Sequence, residues 1–248
     1  ICFLKQLKNT LIYILIAVSV ETVLGFIFAL LFELDYKGSK IVRSLMMTPL
    51  MIAPLVAGLI WKLMMSSNFG IVNEFLTRIG ILSSPSDILW LADSRWSLIA
   101  CCIADIWLTT PFMMLMILAG LQGLDTSVSE AARMDGASKL QEIFYIKIPG
   151  IKPVLLTALS VRIIDAAKTF DIIWAMTEGG PNSSSETISI IIYTVIFMKG
   201  IFSIKPAYAV SAVIVMIALI LIGIYLTNKG GIRIETSIWQ PSEEEKND

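Results

Sequence analysis

Five runs of mostly apolar residues, each near the roughly twenty a helix needs to cross a bilayer, decide what this chain can fold into. They cover 10–32, 45–65, 97–121, 154–177 and 207–226. Hydrocarbon offers the backbone no hydrogen bonds, so each run must satisfy its own peptide groups, and a helix does this within one segment. The expected fold is all-α, a polytopic transmembrane helical bundle with five spans. Composition agrees: 56% of the 248 residues are hydrophobic and 16% charged, with a mean hydropathy of +0.79. An ordinary soluble domain carries about 25% charged residues. The net charge of −1 supplies no basic field for nucleic acid. The chain has no histidine, which removes the commonest general base and metal ligand and argues against an enzyme. Cys2, Cys101 and Cys102 read as small apolar fillers, the last two being sequence neighbours with poor geometry for a bridge.

Basic residues orient the spans. Lys and Arg number ten in the loops 33–44, 122–152 and 227–248, and six in 1–9, 66–96 and 178–206. The first set is assigned to the cytoplasm, which places the C-terminus inside. The domain layout is then an external stub over 1–9, a membrane domain over 10–228 and a cytoplasmic tail over 229–248. An outside Ile1 without a signal peptide implies one further span ahead of it, making six.

The loops between spans carry their own signals. Ile71, Val72, Phe75, Leu76 and Ile79 form an apolar stripe at helical spacing, expected as a short helix on the membrane surface, with Trp90 and Trp96 as interfacial aromatics. The apolar run 187–198 is too short to cross and reads as an interfacial or re-entrant helix. Ser183 and Glu186 are spaced as a capping box ahead of it.

The loop 122–152 is long and strongly punctuated. Ser127 with Glu130, and Ser138 with Gln141, each have capping-box spacing. Gly136 lies between them, where the chain must turn, and a glycine accepts the positive φ that a turn there needs. Pro149 and Pro153 are expected to close the second helix. The first helix carries Ala131 and Ala132, which permit close approach of a partner. It is too short to be stable alone, so the loop reads as a binding element.

The run Glu130-Ala131-Ala132, then Gly136, Ile146, Ile148 and Pro149, resembles the EAA motif of the membrane subunits of binding-protein-dependent ABC importers. Ile148 stands where that motif usually has Leu. The stretch from Glu130 to Ala137, with Asp135 before the glycine, is similar to the form found in carbohydrate permeases. Phe170 to Pro181, ending in Gly-Gly-Pro, and Lys8-Asn9-Thr10 are similar to two further segments of the sugar and glycerol-3-phosphate permeases. The resemblance covers about 8–228 and implies that the family's first span is absent from these residues. It implies a type I importer permease in a bacterial or archaeal cell membrane. The helix around Glu130 to Gly136 would be the coupling helix, seated on one of two ATP-binding subunits. The other implied partners are a second related permease, or a second copy of this chain, and an external substrate-binding protein. ATP and Mg would sit on the ATPase subunits, and no cofactor on this chain. The sequence has no GxxxxGK[ST] phosphate loop, so ATP chemistry requires another chain.

Charges at membrane depth cost roughly 2.5–3.5 kcal/mol each and face protein or water. Arg162, Asp165, Lys168 and Asp171 recur every three residues. That spacing winds the row across the helix, so all four cannot face one side. Asp165, Lys168 and Asp171 are candidates for the translocation path or for interhelical pairs. Glu21 and Asp105, single acids in apolar spans, carry the same two readings. Trp107 and Trp174 are candidates for stacking on a sugar ring or for plain packing. Pro49 and Pro54 are expected to kink or break the second span. The substrate alternatives are a carbohydrate, glycerol-3-phosphate or another small solute. A secondary transporter using Glu21, Asp105 and Asp165 is the alternative of a different class.

Overall fold

The computed structural model describes residues 2–34, 37–67, 70–194 and, between 213 and 225, all but 215, 219 and 223. The elements are α1 (Cys2–Glu33), α2 (Ser39–Met46), α3 (Pro54–Met64), α4 (Ile71–Arg78), α5 (Ser97–Gln122), α6 (Thr126–Met134), α7 (Lys139–Glu142), α8 (Ile148–Lys168), α9 (Asp171–Thr177) and α10 (Ile188–Tyr193). There is no strand among the described residues.

Among the described residues, three helical stretches are long and apolar enough to cross a membrane: Leu4–Glu33, Ser97–Gln122 and Lys139–Lys168. The expected span over 97–121 matches α5. The expected stub over 1–9 is instead helical from Cys2 and continuous with α1. The 45–65 run is broken ahead of Pro54, as its two prolines predict: α2 with a following 3-10 turn meets α3 at 97°. Ile52 and Ala53 are extended at that corner. A residue before proline is pushed out of the helical region, and Pro54 then opens α3 without needing its missing N–H. The expected span over 154–177 lies further toward the N-terminus. It runs out at Lys168, Thr169 is extended, and α9 starts afresh at Asp171. Part of the expected span over 207–226 lies outside the described residues, and those described between 213 and 225 are helical.

α1 and α5 form the central pair, with α8 against both, α3 against α9, and α10 against α1 and α8. α1 and α5 come close at Gly25, where a Cβ would lie 2.8 Å from the Met113 Cβ and 2.9 Å from the Met114 backbone nitrogen. Two apolar clusters result. One gathers Tyr13, Val18, Ala57, Cys101, Ala104, Ala166 and Ile173. The other gathers Ala29, Phe32, Met113, Ile117, Leu121 and Ile151.

The 70–96 segment folds back onto the first cluster. Of the α4 stripe, Val72 and Leu76 pack inward, while Ile71, Phe75 and Ile79 remain exposed. Trp90 is not an interfacial aromatic: it is buried, and its indole N–H donates to Asn73 Oδ1 at 2.6 Å. Asn73 in turn donates to the carbonyls of Pro85 and Ile88. Ser183 and Glu186 form no capping box. Thr10 of α1 supplies the cap of α10 instead, its hydroxyl accepting the Ile188 N–H at 3.0 Å. Asn9 donates to the carbonyls of Ser183 and Glu186, and Gln6 donates to the Glu186 carboxylate.

Candidate functional site

The first candidate site is the 122–152 loop. α6 is capped by Asp125, whose carboxylate accepts the Ser127 N–H at 2.9 Å. That bond holds the Asp125 carboxyl below its usual range. The expected Ser127–Glu130 capping box is therefore absent: aspartate is as good a cap as serine, and Asp125 stands at the right distance from the second helical N–H. Glu130 is thereby freed. It is exposed and makes no hydrogen bond or ion pair with any described residue. Ala131 and Asp135 are also exposed, and Ala132 is half-buried.

α6 ends in a Schellman turn. The Gly136 N–H donates to the Arg133 carbonyl and the Ala137 N–H to the Ala132 carbonyl, with Gly136 at φ +85°. Ser138 then opens α7 with the expected capping box to Gln141. Pro149 and Pro153 do not end a helix. α7 runs through a π turn over Ile143–Lys147 straight into α8. The wider turn just ahead of Pro149 relieves the clash and the lost N–H that proline imposes. Ile146 and Ile148 are half-buried on this stretch and Pro149 is exposed. A hollow of about 410 Å³ opens at the turn, lined by Ala132, Asp135, Gly136, Ala137, Gln141, Tyr145 and Ile146. Met134, Leu140, Phe144 and Tyr145 expose large apolar side chains nearby. A small helix with its small residues and apolar rim turned outward is suited to being covered by a partner.

Four charges brace this loop, a group that no periodic pattern in the residues foreshadows. The Arg133 guanidinium grips Glu142 with two bonds of 2.9 Å, Lys147 Nζ lies 3.6 Å from Glu142, and Lys147 donates to both carboxylate oxygens of Glu33 at 2.7 Å.

The second candidate site lies within the bundle. Arg162 of α8 donates to both oxygens of Glu21 on α1, at 2.8 and 2.9 Å, and to Asp105 of α5 at 3.3 Å. All three side chains are buried. On α1 and α8 the paired residues fall between those of the two apolar clusters, while on α5 Asp105 lies within the first cluster, between Ala104 and Leu108. Glu21 is thus an interhelical partner. Asp105 and Arg162 also reach a cavity of about 270 Å³ at the break between α8 and α9, together with Thr109, Asp165, Lys168 and Asp171. Asp165 and Lys168 pair at 2.8 Å across one turn. Asp105, Asp165, Lys168 and Asp171 therefore line one cavity, while Glu21 does not and pairs with Arg162. Trp107 is elsewhere, edge-on to Trp61 at 5.9 Å beside an apolar cavity of about 570 Å³. Trp174 stacks on Phe170 at 5.5 Å and meets Tyr193, and it is Phe170 that lines the polar cavity.

Residues 21–228 match the family described as "Binding-protein-dependent transport system inner membrane component". A probable ABC transporter permease protein of Sinorhizobium fredii, y4oQ, is 38% identical over 217 residues, which are 88% of this chain and 68% of that protein. The trehalose/maltose transport system permease protein MalF of Thermococcus litoralis is 38% identical over 184 residues, 74% of this chain. Those residues span 61%, about three fifths, of that relative's length. A chain from the crystal structure of a bacterial ABC transporter that imports the acidic polysaccharide alginate superposes with a TM-score of 0.77 at 22% identity. That match covers 91% of this chain and 79% of the other, and it shows a shared fold. The match over 21–228, reaching from Glu21 of the buried triad through the whole 122–152 loop, places this chain in the family of binding-protein-dependent transport system inner membrane components.

Proposed function

We propose that this chain is a permease subunit of an ATP-driven, binding-protein-dependent importer, forming half of the translocation path for a neutral carbohydrate. The observation that carries the reading is the 122–152 loop. Its α6–Gly136–α7 turn leaves Glu130, Ala131 and Met134 exposed, facing outward from the described residues. A partner ATPase supplies that role, with ATP and Mg on its side of the contact. Two such subunits, a second permease or a second copy of this chain, and an external binding protein complete the assembly. The C-terminal tail then lies in the cytoplasm.

A sugar suits the polar cavity better than a phosphate ester does. Its two cations are already taken, Lys168 by Asp165 and Arg162 by Glu21 and Asp105. An anionic solute would meet carboxylates there, whereas hydroxyl groups find both donors and acceptors. The same pairing speaks against an ion-gradient transporter, because Glu21 and Asp105 are committed to Arg162.

The test is co-purification of the tagged, full-length protein in mild detergent. A companion carrying a GxxxxGK[ST] loop is expected, and its loss in Gly136→Trp, together with ATP-driven uptake, is expected as well. A protein that purifies alone and takes up solute along an ion gradient would overturn the reading.

A further inference from the structure

We infer that Arg133, Glu142, Lys147 and Glu33 form a strut that makes α1 follow the loop, and that Lys147 is its positioning residue; the inference rests on the permease reading above. α8 needs no such device. It is continuous with α7 through the π turn, so a push on the loop reaches it through the backbone. α1 has no such continuity, since Glu33 and Lys147 are 114 residues apart.

The contact is built as a strut should be. Arg133 of α6 holds Glu142 by two parallel bonds of 2.9 Å, the geometry with the greatest directional stiffness for this pair. Glu142 is almost fully enclosed, with 4% of its side chain exposed, and Lys147 shows 12%. Lys147 bonds both oxygens of Glu33 at 2.7 Å. Two positive and two negative charges cancel, so no charge is left stranded in the enclosed part.

α1 then carries the motion inward. Glu21 lies twelve residues from Glu33, about 18 Å along a helix, and it holds Arg162 of α8. Arg162 and Asp105 line the polar cavity. The two helices that share the Glu21–Arg162 bond are therefore both fixed to the loop, α8 by its backbone and α1 by Lys147. Without Lys147, α8 would move with the loop while α1 lagged, and the movement would shear the buried triad instead of reshaping the cavity.

The test uses the whole importer, full-length protein with its partner subunits, in proteoliposomes. Lys147→Met is expected to keep the ATPase bound and its hydrolysis near the wild-type rate, while uptake falls by about tenfold, mid-range for coupling between sites. Lys147→Arg, which restores the charge, is expected to restore uptake. Glu33→Gln is the second variant, with the same expected split between hydrolysis and uptake, and it decides the matter if Lys147→Met does not accumulate. Unchanged uptake in the neutral variants overturns the strut. So does a parallel fall of uptake, hydrolysis and ATPase retention, which would make the contact a general structural one. A wild-type protein that carries no ATPase overturns the permease reading itself, and does so before any variant is made.

Discussion

The Arg162 guanidinium faces Glu21 with two hydrogen bonds of 2.8 and 2.9 Å, deep between α8 and α1. Removing one member of a buried pair leaves the other charge uncompensated, which costs about 3–5 kcal/mol. Arg162→Met strands two carboxylates, Glu21 and Asp105. The expected outcome is loss of that order from the unfolding free energy in detergent, read from a denaturant titration. A loss below 1 kcal/mol, the scale of an exposed pair, would contradict the buried triad.

Lys168 belongs to the same row but not to the same environment. Its pair with Asp165 is half-exposed, and such pairs contribute about 0–1 kcal/mol. Lys168→Met should leave the unfolding midpoint nearly unchanged and still lower uptake in proteoliposomes, because the side chain lines the polar cavity. Unaltered uptake would remove Lys168 from the path.

Gly25 and Gly136 predict opposite behaviour. Gly25→Ala places a methyl against the backbone of α5, an overpacking expected to cost about 1–3 kcal/mol of global stability. Nothing lies within 4 Å of a Cβ at Gly136, where the difficulty is φ +85°. Gly136→Asn, a residue that tolerates positive φ, should keep coupling, whereas Gly136→Val should lose it with global stability intact. Circular dichroism melts and uptake together separate the two.

Asp125, not Ser127, caps α6. Asp125→Ala should speed hydrogen exchange at the Ser127 amide, and Ser127→Ala should not slow or speed exchange through the rest of the loop. The cap has a pH signature. Its carboxyl titrates lower in the folded loop than in the unfolded chain. Its contribution is therefore full above the ordinary aspartate value of about 3.9 and fades as pH falls through the lower folded value. Exchange at the Ser127 amide that is unaffected by acid across that window would refute the cap.

Local chemistry made part of this structure readable in advance. α5 is apolar apart from Asp105 and a few small polar residues, with no corner inside it, and its limits are legible nearly to the residue. The turn at Gly136 and the cap at Ser138 depend on neighbours within four positions, and so were legible too. The loop's likeness to a permease family rests on particular residues at fixed offsets, and the family match over 21–228 agrees with it. What hydropathy could not see was direction. The 45–65 run is mostly apolar, and while its prolines announce a break, hydropathy does not show that the chain turns there by 97°. Nor could it see partners: Glu33 and Lys147 both fell in stretches read as loop, and nothing in either neighbourhood names the other. The position of Trp90 between two spans suggests the interface, while its actual place follows from Asn73, seventeen residues away.

The buried triad also sets a problem of timing. Glu21 and Arg162 are 141 residues apart. At about 5–20 residues per second, Glu21 leaves the ribosome roughly 7–28 s before Arg162 does. Throughout that interval an acid in the middle of an apolar helix has no cationic partner from its own chain. Its shelter has to be borrowed, from water, from lipid headgroups or from the insertion machinery. This enclosed bond is in this sense a late one, and the first helix waits for α8 before its buried acid is paired.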